Sequence, residues 1–206
     1  MTTLYKLTTS DYKTRKGHPE ETQWGEGVTH TVSGEGELCG RGWLHAYTNP
    51  LLAVLLNPIH AAIENPVLWE CSGEIGKNDR GLKVGCKQLI TKNILPIPQI
   101  STEQKVRFAI LCAMEVCAEP NFRVWANNWL DGKDRSEAAA RAAEAAAEAV
   151  AWAAAEAAEA AAWAAAEAAA RAAETVAVAA LVAALAAAEA AADIDLIAIA
   201  EKAIAQ

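Results

Sequence analysis

The side chains of this sequence that are best suited to contact a ligand are aromatic rings and histidines, and they cluster in its first third. The candidate ligand-binding residues are Trp24, His30, Arg41, Trp43, His45, Tyr47, Asn49 and His60. Rings that carry a polar atom suit a pocket that stacks a planar ligand and hydrogen-bonds its edge. Arg15 and Lys16 are near in sequence and, with Arg41, could meet an anionic group. We therefore predict a ligand pocket here and assign no catalytic residue.

The tryptophans of this region have a second interpretation. For Trp43 and Trp69 the hydrophobic core is slightly favoured over the pocket, since each lies in an apolar run. Trp24 lies between Gln23 and Gly25 in a turn-rich stretch, which favours the pocket.

Metal and nucleophile chemistry are weakly indicated. The five cysteines include no C-x-x-C pair, and their odd number does not suggest a disulfide framework. Cys39 and His45, with Cys71 and Cys86, could form a four-ligand zinc site, but the short spacing of a zinc knuckle is missing. A Cys-His nucleophile pair has no recognisable signature. We expect buried, reduced thiols, no metal and no cofactor.

The segment before residue 100 has the pattern of short strands around one buried helix. Leu4–Thr8 reads as a first strand, and Val67–Gly73 and Leu82–Leu89 read as half-buried strands. Asn49 and Pro50 predict a helix start, and Pro58 predicts its end near Leu56.

At Ser101 the hydrophobic period changes from two to 3.6. Ser101 and Gln104 form a capping box that predicts a helix over 102–118. Pro120 starts a second helix with Phe122, Trp125 and Trp129 on one face.

The last third of the chain is an alanine-rich segment that Asp134 and Glu137 would cap. Its larger residues recur at eleven-residue intervals, as in Arg141, Trp152, Trp163 and Glu174, which is typical of a nearly straight helix. At about 1.5 Å per residue it would be near 80 Å long. One face is alanine relieved by valines, and the other mixes acidic residues with tryptophan. We predict a homo-oligomer seam with interface residues Val150, Trp152, Trp163, Val176 and Val182. A solvated single helix is the alternative.

These patterns together predict an α+β fold. A small β-rich domain with short helices (1–100) leads into a helical extension (101–133). One very long alanine-rich helix and a short terminal helix that Asp193 caps follow (134–206).

Charge and hydropathy limit the partners. The last third carries the whole net charge of −8, which argues against nucleic acid as the main partner. The N-terminus has no apolar signal-peptide core, and the charge-free runs are too short to cross a membrane. We expect a cytoplasmic protein that binds no membrane.

The segment Glu37–Leu51, with its L-C-G-R-G-W-L-H-A-Y core, resembles an uncharacterised domain family that is common in tailed-phage genomes. The Lys6-Leu7 opening, Trp69–Gly73, and the later T-E-Q-K-V-R-F-A-I-L-C run followed by an alanine-rich tail also match in order. The resemblance implies a phage origin and a small β-rich domain. It implies no activity and therefore assigns no site residue.

Three functions are consistent with these patterns. The favoured one is a non-enzymatic phage accessory protein that sequesters a small, nucleotide-derived ligand as a homo-oligomer and so counters host defence. The alternative is a structural or protein-binding module whose long helix is the working part. The third is an ADP-ribosyl- or nucleotide-processing enzyme, for which His45 would be essential.

Overall fold

The computed structural model describes residues 1–117, 120–136 and 194–205. The chain forms two compact units, Met1–Gln99 and Ile100–Gln206. The first unit holds a sheet and one helix and the second holds helices, which agrees with the predicted α+β class. Most of the predicted alanine-rich helix, over 137–193, lies outside the described residues, and so do the predicted interface residues Val150, Trp152, Trp163, Val176 and Val182.

The N-terminal unit is built from antiparallel strands around a long hairpin. Its strands are β1 Thr2–Thr8, β2 Lys13–Thr14, β3 Thr22–Gln23, β4 Thr29–Thr31, β5 Leu44–Ala46, β6 Val67–Asn78 and β7 Val84–Leu95. The main sheet has the order β1-β6-β7-β4, and β5 also pairs with β7. β2 and β3 form a separate two-stranded ribbon.

Backbone pairing closes the main sheet into a ring. Tyr47, directly after β5, exchanges two hydrogen bonds of 2.8 Å with Tyr5 of β1. Pairing therefore runs from β1 through β6, β7 and β5 back to β1. Side chains from the strands and from the segment before β4 form the core of this unit: Leu4, Trp24, Ala46, Trp69, Cys71, Val84, Cys86 and Leu89.

The helix α1, Pro50–His60, starts where the sequence predicts and ends later. The Asn49 side chain accepts a hydrogen bond from the Leu51 N–H, as an N-cap does. The predicted end near Leu56 is wrong, because Pro58 removes only one backbone donor and the helix continues to His60. Asn57 determines the end instead. Its carbonyl accepts from Ala61 and Ala62, and its side chain bonds both backbone groups of Ile63.

The hairpin strands β6 and β7 are longer than the sequence predicts. β6 continues past the predicted end at Gly73 to Asn78, and register shifts interrupt the pairing on both sides of Ile75. The Trp43 ring lies directly over the hairpin at Gly76 and Gly85. A Cβ at Gly76 would lie 2.5 Å from Trp43 Cζ3, and one at Gly85 would lie 3.1 Å from Trp43 Cε3. Both glycines therefore provide the space that the indole occupies.

The C-terminal unit contains α2 Thr102–Val116, α3 Pro120–Leu130 and α4 Leu196–Ile204. The predicted capping box of Ser101 and Gln104 is confirmed, and Phe122, Trp125 and Trp129 are buried on α3 as predicted. Gln104 also donates to the Ile204 carbonyl at 2.9 Å, which ties α2 to α4. Asp195 is the N-cap of α4, whereas the predicted cap, Asp193, lies outside the described residues. Among the described helices none is long and apolar enough to span a membrane.

We expect Gly76→Ala to lower the free energy of unfolding by about 1–3 kcal/mol, because the new methyl group must displace the Trp43 indole. Urea unfolding measures this loss. In a Trp43→Ala background the same substitution should cost little, since the ring is absent. An equal loss of unfolding free energy in both backgrounds would show that the Trp43 ring is not the reason that position 76 requires glycine.

Candidate functional site

A cavity of about 870 Å³ opens in the N-terminal unit and brings together most of the predicted ligand-binding residues. Its lining includes Trp24, Arg41, Trp43, His45, Tyr47 and His60 of the predicted set, and also Arg15 and Lys16. The remaining wall comes from β1, from the segment that contains β2 and β3, and from residues 61–65 after α1. The volume lies in the range of small-molecule sites.

Two predicted site residues lie outside this lining and have structural roles. His30, on β4, packs edge-on against Trp24 with ring centroids 4.6 Å apart, and its Nε2 lies 2.7 Å from the Gln23 carbonyl oxygen. Asn49 uses its side chain to cap α1. The structure therefore does not bring His30 and Asn49 together with the six predicted residues that line the cavity.

Lys6 is the main site residue that the sequence analysis missed. Only 7% of it is exposed, although it lines the cavity. Its Nζ donates to the His45 carbonyl at 2.8 Å and lies 4.7 Å from the centre of the Trp24 ring. The signal was present in β1, because Leu4, Lys6 and Thr8 alternate onto one buried face.

The Lys6 side chain is buried, and burial disfavours its charged form. Burial is the main reason that its pKa falls to about 8, and the nearby Arg15 guanidinium lowers it further, while the Cys71 and Cys86 thiols act in the opposite direction. Within the described part of the chain, no carboxylate forms an ion pair with Lys6. The cavity wall therefore contains a buried ammonium group whose counterion is not supplied by these residues.

Arg15 differs from the other basic residues of the cavity rim. Lys13, Lys16 and Arg41 pair with Glu21, Asp11 and Glu20 respectively, at distances between 2.5 and 2.9 Å. Arg15 contacts the Gly40 carbonyl oxygen at 3.4 Å, and none of the ion pairs among the described residues includes it.

The backbone is strained at several points of the lining. Arg15, Ala62 and Asn65 all have positive φ angles, of 53°, 47° and 46°. Such strain in residues other than glycine concentrates at functional sites.

Tyr47 and His60 form a second polar group in the cavity. The Tyr47 hydroxyl lies 2.9 Å from His60 Nδ1, and the two rings stack with centroids 5.9 Å apart. Burial raises the pKa of Tyr47 well above its usual range and lowers that of His60 to about 4, so both are neutral at pH 7. His60 Nε2 is buried with no hydrogen-bond partner among the described residues. It can therefore bond a polar atom of a ligand.

The loop over 34–42 is held to the cavity by side chains that bond its carbonyl groups. Trp43 Nε1 donates to the Gly36 carbonyl at 3.1 Å, and Lys77 donates to the same oxygen at 2.8 Å. His45 Nε2 donates to the Leu38 carbonyl, which leaves only Nδ1 for a ligand. Burial is the main cause of the lowered pKa of His45, so the ring is neutral. Trp43 and His45 therefore hold this loop in place, and each could also contact a ligand.

No group of three or more His, Cys, Asp or Glu residues in the described ranges is placed to hold a metal ion. Burial raises the pKa of Cys71 to about 12 and that of Cys86 to about 11, so both remain protonated thiols. Cys39 is exposed and lies 3.3 Å from Lys83 Nζ.

Comparison of the chain with protein-family models, with curated proteins and with solved structures finds no match. The resemblance to the phage domain family therefore stays a prediction, and the site has to be interpreted from its own geometry.

We expect Lys6→Met to stabilise the protein at pH 7 by about 1–2 kcal/mol. Lowering the pKa of a lysine from 10.5 to about 8 corresponds to roughly 3 kcal/mol of unfavourable charge burial, and the loss of the bond to the His45 carbonyl offsets part of that gain. Urea unfolding measures the difference.

The same comparison should depend on pH in one direction. Below pH 8, Lys6 is charged in both the folded and the unfolded chain, so the parent bears the full cost of burial. Between about pH 8 and 10.5 only the unfolded chain binds the proton, so the parent gains stability relative to Lys6→Met. The advantage of the variant should therefore shrink at pH 9.5. A constant difference would contradict the burial of a charged Lys6.

Proposed function

We propose that the N-terminal unit binds a small anionic ligand with a flat ring, and that the protein sequesters this ligand without converting it. One observation carries the proposal. The buried Lys6 ammonium and the Arg15 guanidinium line one cavity, and among the described residues neither has a carboxylate partner. An anionic ligand would neutralise both groups in a place where water screens them poorly.

The aromatic wall supports the flat-ring part of the proposal. Trp24 and Trp43 are 2% and 7% exposed, yet both contribute to the lining. Tyr47 and His60 add neutral polar atoms that can bond the edge of a ring. Stacking against aromatic faces combined with cationic groups for phosphate is how proteins commonly bind nucleotides. We therefore favour a nucleotide-derived ligand.

The biological setting follows from the resemblance to the phage domain family. We propose a phage accessory protein that removes a nucleotide-derived immune signal of the host. Sequestration requires a cavity and no catalytic group, which fits the two buried histidines His45 and His60, each of which has a lowered pKa and is bonded within the fold.

A panel of cyclic nucleotides and ADP-ribose tests the ligand class by calorimetry. We expect at least one member to bind, and we expect Arg15→Ala and Lys6→Gln each to weaken that binding about 10–100-fold, as for loss of a charge-assisted bond of roughly 1.5–3 kcal/mol. Affinity should also fall as the pH rises from 7 to 9.5, because Lys6, with a pKa of about 8, loses its charge. Lys92→Gln, outside the lining, is the matched control. No binding across the panel would reject a nucleotide-derived ligand.

We also propose that the alanine-rich segment assembles the protein into a homo-oligomer. The proposal depends on its eleven-residue repeat and its smooth alanine face. Light scattering at micromolar concentration should give a multiple of the 21.8 kDa chain mass. Val176→Glu, on the face that the sequence predicts to be alanine-rich, should reduce that mass, whereas Glu167→Gln, on the predicted acidic face, should not. A monomeric parent would reject the seam.

A further inference from the structure

The chemistry of Lys6 goes beyond holding an anion. We propose that the Lys6 amine forms an imine with ligands that carry an aldehyde or ketone together with an anionic group. This inference depends on the proposed anion-binding cavity, and it adds a covalent step to it. The ligand class would include phosphorylated aldehydes and sugars whose reducing end opens to an aldehyde.

The surroundings of Lys6 are those of a nucleophilic amine. Lys6 lines the cavity, and among the described residues the hydrogen bond of its Nζ goes to one neutral acceptor, the His45 carbonyl. The Trp24 ring lies on one side, and Arg15 is close enough to disfavour a second positive charge. Desolvation and a neighbouring cation are the two features that activate lysines for imine formation.

These surroundings also provide the reactive protonation state. A free lysine is neutral in well under about 1% of molecules at pH 8. Lys6, with its pKa of about 8, is neutral in about half of them. The Arg15 guanidinium can hold the anionic group of the ligand while the amine is neutral.

The step balances without any oxidant or metal. The Lys6 nitrogen lone pair attacks the carbonyl carbon and forms a C–N bond, and the carbonyl oxygen takes up a proton while the nitrogen loses one. The hydroxyl group of this carbinolamine then leaves as water after gaining a proton, and the nitrogen loses its remaining proton or keeps it as an iminium. One water is released for each imine, and the reaction is reversible.

A purely structural role for Lys6 makes a different prediction. If its only task were to hold the His45 carbonyl, the amine would react no faster than other lysines. Lys92, which is exposed, and Lys133, whose side chain is 68% exposed, lie outside the cavity lining and are internal references for ordinary surface reactivity.

Reductive trapping on the full chain tests the proposal. Pyridoxal 5′-phosphate combines a flat ring, a phosphate and an aldehyde, and pyridoxine 5′-phosphate is its matched partner with an alcohol in place of the aldehyde. After brief exposure to a low concentration of the aldehyde at pH 8 and reduction with borohydride, peptide mass spectrometry locates the label. We expect Lys6 to be labelled at least tenfold more than Lys92 or Lys133, and excess pyridoxine 5′-phosphate to protect it.

Lys6→Arg should remove the label at this position while Arg15→Ala should slow labelling, since the phosphate loses its partner. The site map of the parent protein decides the question even if a variant does not fold. Binding of pyridoxine 5′-phosphate without preferential labelling of Lys6 would overturn the imine and leave the proposed binding function intact. Absence of both binding and labelling would overturn the imine. The calorimetric nucleotide panel then tests the proposed binding function separately.

Discussion

The backbone hydrogen bonds between Tyr5 and Tyr47 determine the architecture of the N-terminal unit, because they join the first strand to the end of β5. On one side of this pair, Lys6 reaches the His45 carbonyl, and on the other, α1 starts at Pro50 and returns His60 to the Tyr47 hydroxyl. A short β5 paired only with β7 would hold none of these groups in place. The closed ring of strands therefore positions Lys6, Tyr47 and His60 around the same cavity.

The second constraint is electrostatic. A lysine inside a small β-structure lowers stability unless something compensates its charge. The fold supplies a carbonyl oxygen and an indole face, which are weaker partners than a carboxylate. An anionic ligand that compensates the Lys6 charge removes the remaining cost of burying it. Such a ligand binds more strongly by the same amount of free energy. Stability and affinity are thus opposed at Lys6, as is common at functional sites.

Local signals in the sequence predicted local structure well. The Ser101 capping box and the Asn49 cap are present because each is decided within a few residues. The aromatic and histidine cluster was also predictable, since much of it lies in the single stretch 41–49. Lys6 was missed because its burial depends on β6 and β5, far away in sequence, and a lone lysine in a strand is usually solvated. The end of α1 was mispredicted because Asn57 bonds the chain beyond the helix, which overrides the usual effect of Pro58.

The bond from Gln104 to the Ile204 carbonyl has a consequence for how the protein folds during synthesis. All strand pairs of the N-terminal unit lie within the first 95 residues, so this unit can fold while the ribosome is still making the rest. The packing of α2 against α4 joins residues about one hundred positions apart, and it has to wait until residue 204 has left the exit tunnel. Until then α2 lacks a neighbour that covers part of its apolar surface. The surface of α2 that α4 covers is therefore completed only at the end of translation.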